Sequence, residues 1–167
     1  TRSGRDSLPA ATLIASEASG SVMRVRDAMA TTWDEIHEGQ SLPRLEKRPG
    51  VTQLVKYAAG SGDFNPLHHD YRFPQAKQLG SIIVHGRFKY AALGELVSSW
   101  LSHRGRVRKI SCQFRGMDFP DQPIVCTGKV VRKWEEKGER LAEVAIWTEN
   151  AEGKQTTPGA AIVVFKS

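Results

Sequence analysis

Six residues in the middle of the chain carry the groups that proton chemistry needs. Asp63, Asn65 and His68 stand within one short stretch, with His69 and Asp70 directly behind. A carboxylate and an imidazole held by one loop can bind a water molecule, take a proton from it and give one back. Asn65 can both donate and accept, so it can orient either partner. Gly60 and Gly62 permit a tight approach, and Pro66 stiffens the turn. The same residues also fit a helix C-cap followed by an Asx-turn, with His68 on the surface. Metal binding is not expected: the adjacent histidines point in different directions, and no HxH or HExxH spacing occurs.

A second feature lies about twenty residues on. Ile83-Val84-His85-Gly86 runs into the most apolar helix of the chain, with Tyr90, Leu93, Leu96, Val97, Trp100 and Leu101 at helical spacing. Gly86 falls at the start of that helix, where backbone N–H groups lack intrahelical partners and carry partial positive charge. Such a terminus can bind a developing oxyanion, or Gly86 can be a plain N-cap.

The remaining elements must position these two features. Pro49-Gly50 marks a turn, after which Val51, Leu54, Val55 and Ala58 form one face of a short helix ended by Gly60 and Gly62. The apolar helix spans about residues 86–102, with Gly105 as its stop and His103 and Arg104 in its last turn. It is apolar over so much of its surface that something must wrap around it. The C-terminal third of the chain has the character of strands. Ile110, Cys112 and Phe114 alternate with polar residues, Ile124–Trp134 is a full strand, and Leu141–Glu149 alternates again. Gly159–Phe165 closes the chain. The pattern predicts an α+β fold with three or four meandering antiparallel strands and a buried helix.

The chain has 167 residues, a formal net charge of +6 and two cysteines. One domain over 29–167 is expected, preceded by a flexible N-terminal extension over 1–28 that holds Ser, Gly, Ala and Arg with little apolar periodicity. No secretory signal is read there, and no segment approaches the roughly 20 apolar residues needed to span a bilayer. A cytoplasmic protein with no membrane association is therefore expected. Cys112 and Cys126 read as buried free thiols. The positive charge concentrates at Arg104, Arg106, Arg108 and Lys109 and suits an anionic partner. No nucleic-acid-binding signature accompanies it.

The segment Tyr57–Asp70 together with Ala76, Gly80 and Ile83–Gly86 strongly resembles the MaoC-like family. That family contains the (R)-specific enoyl-CoA hydratases and the β-hydroxyacyl dehydratases of fatty-acid synthesis. The resemblance covers about residues 32–165 and implies a single hot-dog fold, a bent antiparallel sheet wrapped around a central helix. It implies that Asp63 and His68 are the catalytic acid/base pair, that Asn65 supports them, and that the Gly86 N–H polarises the thioester carbonyl. Ser61, Pro66 and His85 would shape the substrate site, with His85 as support rather than proton carrier. Arg108 and Lys109 are placed near substrate phosphates on charge alone. The implied reaction is hydration of a trans-2-enoyl thioester of coenzyme A or acyl carrier protein to the (R)-3-hydroxyacyl thioester, or its reverse, without a cofactor. A homodimer is expected, with a heterodimer as the other arrangement. The chain departs from the family after His85-Gly86: Arg87 stands where a small or apolar residue, often Met, is usual, and this bears on the acyl group accepted. Two other readings remain. One is a hot-dog acyl-CoA thioesterase, for which Glu95 is the carboxylate on the buried helix. The other is a non-catalytic partner subunit of a heterodimeric dehydratase.

Overall fold

The computed structural model describes residues 31–166; the extension expected over 1–28 and the domain start at 29 lie outside them. The elements in chain order are β1 (Leu45–Lys47), α1 (Val51–Ser61), a 3-10 turn (Pro66–His68), α2 (Pro74–Leu79) and α3 (Gly86–Leu101). A second 3-10 turn (Ser102–Arg104) then leads to β2 (Gly105–Cys112), β3 (Ile124–Glu136), β4 (Glu139–Glu149) and β5 (Gln155–Phe165). The five strands form one antiparallel sheet in the order β1-β3-β4-β5-β2.

The sheet exists to bury α3. Ala92, Leu93, Leu96, Val97, Trp100 and Leu101 of the helix meet Cys126 and Val130 of β3, Ala142, Val144 and Ile146 of β4, and Ala161, Val163 and Phe165 of β5. All five strands contact the helix. Trp100 and Phe165 pack edge to face with centroids 5.9 Å apart, a preferred aromatic geometry. This is the hot-dog arrangement. A smaller cluster of Leu54, Ala76, Ile82, Val84, Phe88 and Ile124 fixes α1 and α2 against the start of α3.

Local sequence explains the connections. Lys137 and Gly138 both have positive φ, 51° and 77°, so Glu136 and Glu139 face each other across a two-residue turn whose twist matches the strands. Gly62, at φ 74°, ends α1 and starts the loop that carries Asp63.

Several elements differ from the sequence reading. The helix stops at Leu101, not at Gly105. Ser102 turns the chain at φ 49°, and Gly105 begins β2 in extended form. Its lack of a side chain serves packing, because a Cβ there would stand 2.7 Å from the Val164 carbonyl. Phe114 lies outside β2 and is exposed. β5 begins at Gln155, four residues before Gly159. Pro158 falls beyond the Cys112↔Gly159 pair, where the ladder to β2 ends, so its missing N–H breaks no β2 pair. Both cysteines are free, but only Cys126 is fully buried. Burial pushes its thiol up to about 12, so it is unreactive at neutral pH. No helix among the described residues is long and apolar enough to cross a membrane.

Leu96 is fully buried in the centre of this core. Leu96→Ala is expected to lower the stability by about 2–5 kcal/mol through lost burial and a residual cavity. Urea unfolding followed by circular dichroism measures it as a lower midpoint with an unchanged slope.

Candidate active site

The loop after α1 is built by local bonds. Ser61 Oγ donates to the Tyr57 carbonyl (2.7 Å) and accepts from the Asp63 N–H (3.3 Å). Asn65 Oδ1 accepts from the Leu67 N–H (3.0 Å), capping the 3-10 turn that Pro66 opens. Both side chains are therefore used in shaping the loop. Asp63 stays partly exposed at its base, and His68, at the end of the 3-10 turn, is buried.

Two main-chain carbonyls define the histidine tautomers. His68 Nδ1 lies 2.8 Å from the Ile83 carbonyl. A carbonyl only accepts, so Nδ1 carries the proton and the Nε2 lone pair is left for chemistry. His85 Nε2 lies 3.1 Å from the Asp63 carbonyl and donates to it. The two imidazoles stack at 3.9 Å with planes 24° apart, and the Tyr57 ring packs against His85 with centroids 5.0 Å apart. One nitrogen of each ring and one Asp63 carboxylate oxygen lie within 4.8 Å of one another. Two hydrogen bonds of ordinary length meeting at a tetrahedral angle span about 4.6 Å. Groups this close can share one water between them.

Gly86 is the first residue of α3. The Phe88 and Lys89 N–H groups turn back to the His85 carbonyl. Those of Gly86 and Arg87 have no protein acceptor among the described residues and point out of the helix N-terminus, a ready anion site. Phe114 covers this point: a Cβ on Gly86 would lie 3.1 Å from its ring. Its ring borders two cavities. One, of about 540 Å³, is lined by Tyr57, Arg87, Tyr90, Ala91, Ser111 and Cys112. The other, of about 390 Å³, is lined by His68, Ile83, Val84, Gly86, Lys89 and the Arg115–Met117 segment. A third cavity, lined by Trp33, His103, Arg104, Arg140 and Lys166 among others, shares no residue with the loop.

The structure thus brings Asp63, His68, His85 and Gly86 together, with Ser61, Asn65 and Pro66 shaping the loop and Arg87 on the larger cavity. It does not bring Arg108 and Lys109 there. The Arg108 guanidinium bonds Glu139, which also takes Arg106 at 3.0 Å. Glu139 begins β4, beside the C-terminal end of α3, a helix about 24 Å long with Gly86 at its other end. Lys109 sits opposite Ile162 and lines neither site cavity. A run of like charge in sequence carried no information on which end of the sheet it would occupy. Glu95 is also away from the site. It pairs with Lys47 at 2.8 Å and lies about 13 Å along the helix from Gly86.

Asp63, His68 and His85 form a set of donors that metals accept. The ring geometry does not suit one. Imidazole lone pairs lie in the ring planes, and in two stacked rings they run side by side instead of converging. A metal at the usual distance of about 2.0–2.1 Å would require one ring to swing away.

Tyr57, Phe114, Lys89 and Asp118 belong to the site surroundings but did not stand out in the sequence. Their roles depend on contacts between segments far apart in the chain.

Comparison with known proteins bears on the family and the fold. The family model described as "MaoC like domain" matches residues 19–151. The chain belongs to the MaoC-like family. It is 32% identical over 109 residues to the fatty acid synthase subunit beta of Saccharomyces cerevisiae, covering 59% of this chain and 5% of that protein. It is 36% identical over 64 residues to the (R)-specific enoyl-CoA hydratase of Aeromonas caviae, covering 38% of this chain and 48% of that protein. The solved (R)-hydratase of A. caviae, involved in PHA biosynthesis, superposes with a TM-score of 0.71 at 25% identity, covering 79% of this chain and 98% of that one. The matched region therefore spans about half of the curated hydratase and a small part of the synthase subunit.

Burial, then the neighbouring His68, holds the His85 imidazole below its ordinary value of 6.5, against the raising effect of the Asp63 carbonyl. The folded state thus binds this proton less readily than the unfolded chain. The stability it contributes is complete above about pH 6.5 and is lost as pH falls through the folded value. His85→Phe keeps the stacked ring but cannot titrate. Its melting temperature is expected to be lower at pH 7 and to fall less between pH 7 and 5 than that of the wild type, as scanning calorimetry will measure.

Proposed function

We propose that the protein reversibly hydrates trans-2-enoyl thioesters to (R)-3-hydroxyacyl thioesters, with Asp63 and His68 as the proton-transferring pair. The observation that carries this reading is the locked His68 tautomer, which leaves Nε2 free on a ring clustered with the Asp63 carboxylate, beside an unpaired helix N-terminus. In the hydration direction the pair holds the water and removes one proton as the oxygen bonds C3. The C2–C3 electrons move toward the thioester carbonyl, whose oxygen gains charge against the Gly86 N–H. The pair then delivers a proton to C2, so the elements of water are added and nothing is left over. Dehydration runs the same steps backwards. No step asks for a cofactor.

Each part has a fitting magnitude. General acid–base catalysis supplies typically about 10²–10⁴-fold, and an oxyanion donor about 10²–10³-fold. The larger cavity gives the acyl or pantetheine chain an apolar course past Tyr57, Tyr90 and Phe114. Arg87 at its edge is the contact for an anionic group, either a carboxylate on the acyl chain or a phosphate of the carrier. The carrier itself is coenzyme A or an acyl carrier protein. β2 is an edge of the sheet, eight residues long, and exposed strand edges invite pairing. A second copy continuing the sheet there, or a related subunit in a heterodimer, is part of this reading.

Purified protein is expected to hydrate crotonyl-CoA, followed by loss of enoyl absorbance. Asp63→Asn and His68→Ala are each expected to lower kcat by about 10²–10⁴-fold. Gly86→Ala, which presses on an exposed and movable ring, is expected to fold and to lose activity. Wild-type rates in Asp63→Asn and His68→Ala would overturn the assignment. Release of free thiol in place of hydration would point to a thioesterase.

A further inference from the structure

Lys89 breaks the pattern of its own helix. It lies one turn past Gly86, and only 2% of it reaches solvent. Its Nζ donates to the Asp118 carboxylate at 2.6 Å and to the Gly116 carbonyl at 2.8 Å. Asp118 is equally buried. Removing two charges from water is costly, and well-packed apolar side chains of similar volume often serve stability as well or better. A cation in the first turn is also at the wrong end of the helix dipole. Stability alone therefore gives no reason for the pair.

What Asp118 holds gives a better one. Its carboxylate accepts from Thr156 Oγ1 on β5 at 2.8 Å, and Thr156 is linked in turn to Thr148 on β4 at 2.9 Å. Its main-chain carbonyl accepts from the Val84 N–H at 2.8 Å. The residue before Val84 is Ile83, whose carbonyl receives the His68 Nδ1 proton. The Arg115 and Gly116 N–H groups bond the Thr156 carbonyl at 2.9 Å, which closes the segment onto β5.

We propose that Lys89 and Asp118 are a positioning pair for His68. Anchored between α3 and the sheet, they hold the Ile83–Val84 segment so that its carbonyl selects the tautomer with a free Nε2. The kinetic part of this inference rests on the hydratase reading; the tautomer part does not.

The test uses Lys89→Met/Asp118→Leu, which removes both charges together and leaves neither buried alone. Asp118→Asn is the second variant; it keeps the main-chain bond to Val84 and a polar partner for Thr156. Lys47→Met breaks the exposed ion pair on the same helix and is the control. Side-chain ¹⁵N NMR of His68 and steady-state kinetics on crotonyl-CoA are the readouts. The double variant is expected to unfold cooperatively, to show His68 as a mixture of tautomers, and to lose kcat roughly 10²-fold with KM little changed. Asp118→Asn should move the same way by less, and Lys47→Met should match the wild type. A wild-type His68 tautomer and kcat in both Asp118 variants overturn the proposal. Wild-type protein that hydrates no enoyl thioester overturns the functional reading instead, while the NMR signal still decides the role of the pair.

Discussion

The His85 imidazole joins two parts of the molecule that chemistry needs side by side. It is completely buried, donates to the carbonyl of Asp63, lies flat against His68 and stands at the N-cap of α3. Loop and helix terminus are therefore referenced to one ring. The ring can do this only while neutral. Its Nδ1 is buried without a hydrogen-bond partner, so protonation would create a donor with no acceptor and a cation stacked on His68. Burial costs of this kind are large for an unpaired charge. In the proposed reaction the neutral state lets His68 take up a proton without a second positive charge against it.

That joint works because α3 cannot move. The helix is enclosed by all five strands, and its far end is pinned by Trp100 and Leu101. Close-packed interiors transmit displacement instead of absorbing it, so the N-terminus holds its place relative to the sheet. Small residues on the strands allow this enclosure. A side chain at Gly128 would collide with the Ala145 carbonyl, and one at Gly105 with the Val164 carbonyl. The loop from Gly62 to His68 then lays a carboxylate and an imidazole beside that fixed point.

Much of this was legible in the sequence, for physical reasons that differ by element. α3 announced itself through an apolar surface too wide for a solvated helix, and the loop through two glycines, Pro66 and a pair of titratable groups. β1 did not, because three residues carry no periodicity. α2, six residues long, is held by Ala76 packing in the second cluster, a tertiary effect. Gly105 looked like a helix stop because glycine serves both left-handed turns and close strand contacts, and sequence alone does not separate the two. The basic run at 104–109 suggested phosphate binding, yet Arg106 and Arg108 turn to Glu139, thirty residues away. Lys89 gave no signal of its own in the sequence. Its partner Asp118 lies 29 residues on, and no local signal links them.

The charges around the start of α3 divide into two kinds. Lys89 is cancelled by Asp118 within 2.6 Å, so it adds structure but little net field at the site. Arg87 is exposed, forms no ion pair among the described residues, and sits where the helix dipole is already positive. Placing a cation there costs roughly 0.3–1 kcal/mol in the free protein. The cost turns into a gain when an anion arrives, because the dipole, the Gly86 N–H and Arg87 then act on it together. In the proposed reaction, a charge that develops on the thioester oxygen, or one carried in by the substrate, meets a site whose positive groups are already in place. Preorganised groups of this sort need no rearrangement at the moment of reaction. On the proposed function, binding and the chemical step draw on the same end of one helix, and in the role proposed for the buried pair that end stays aligned with His68.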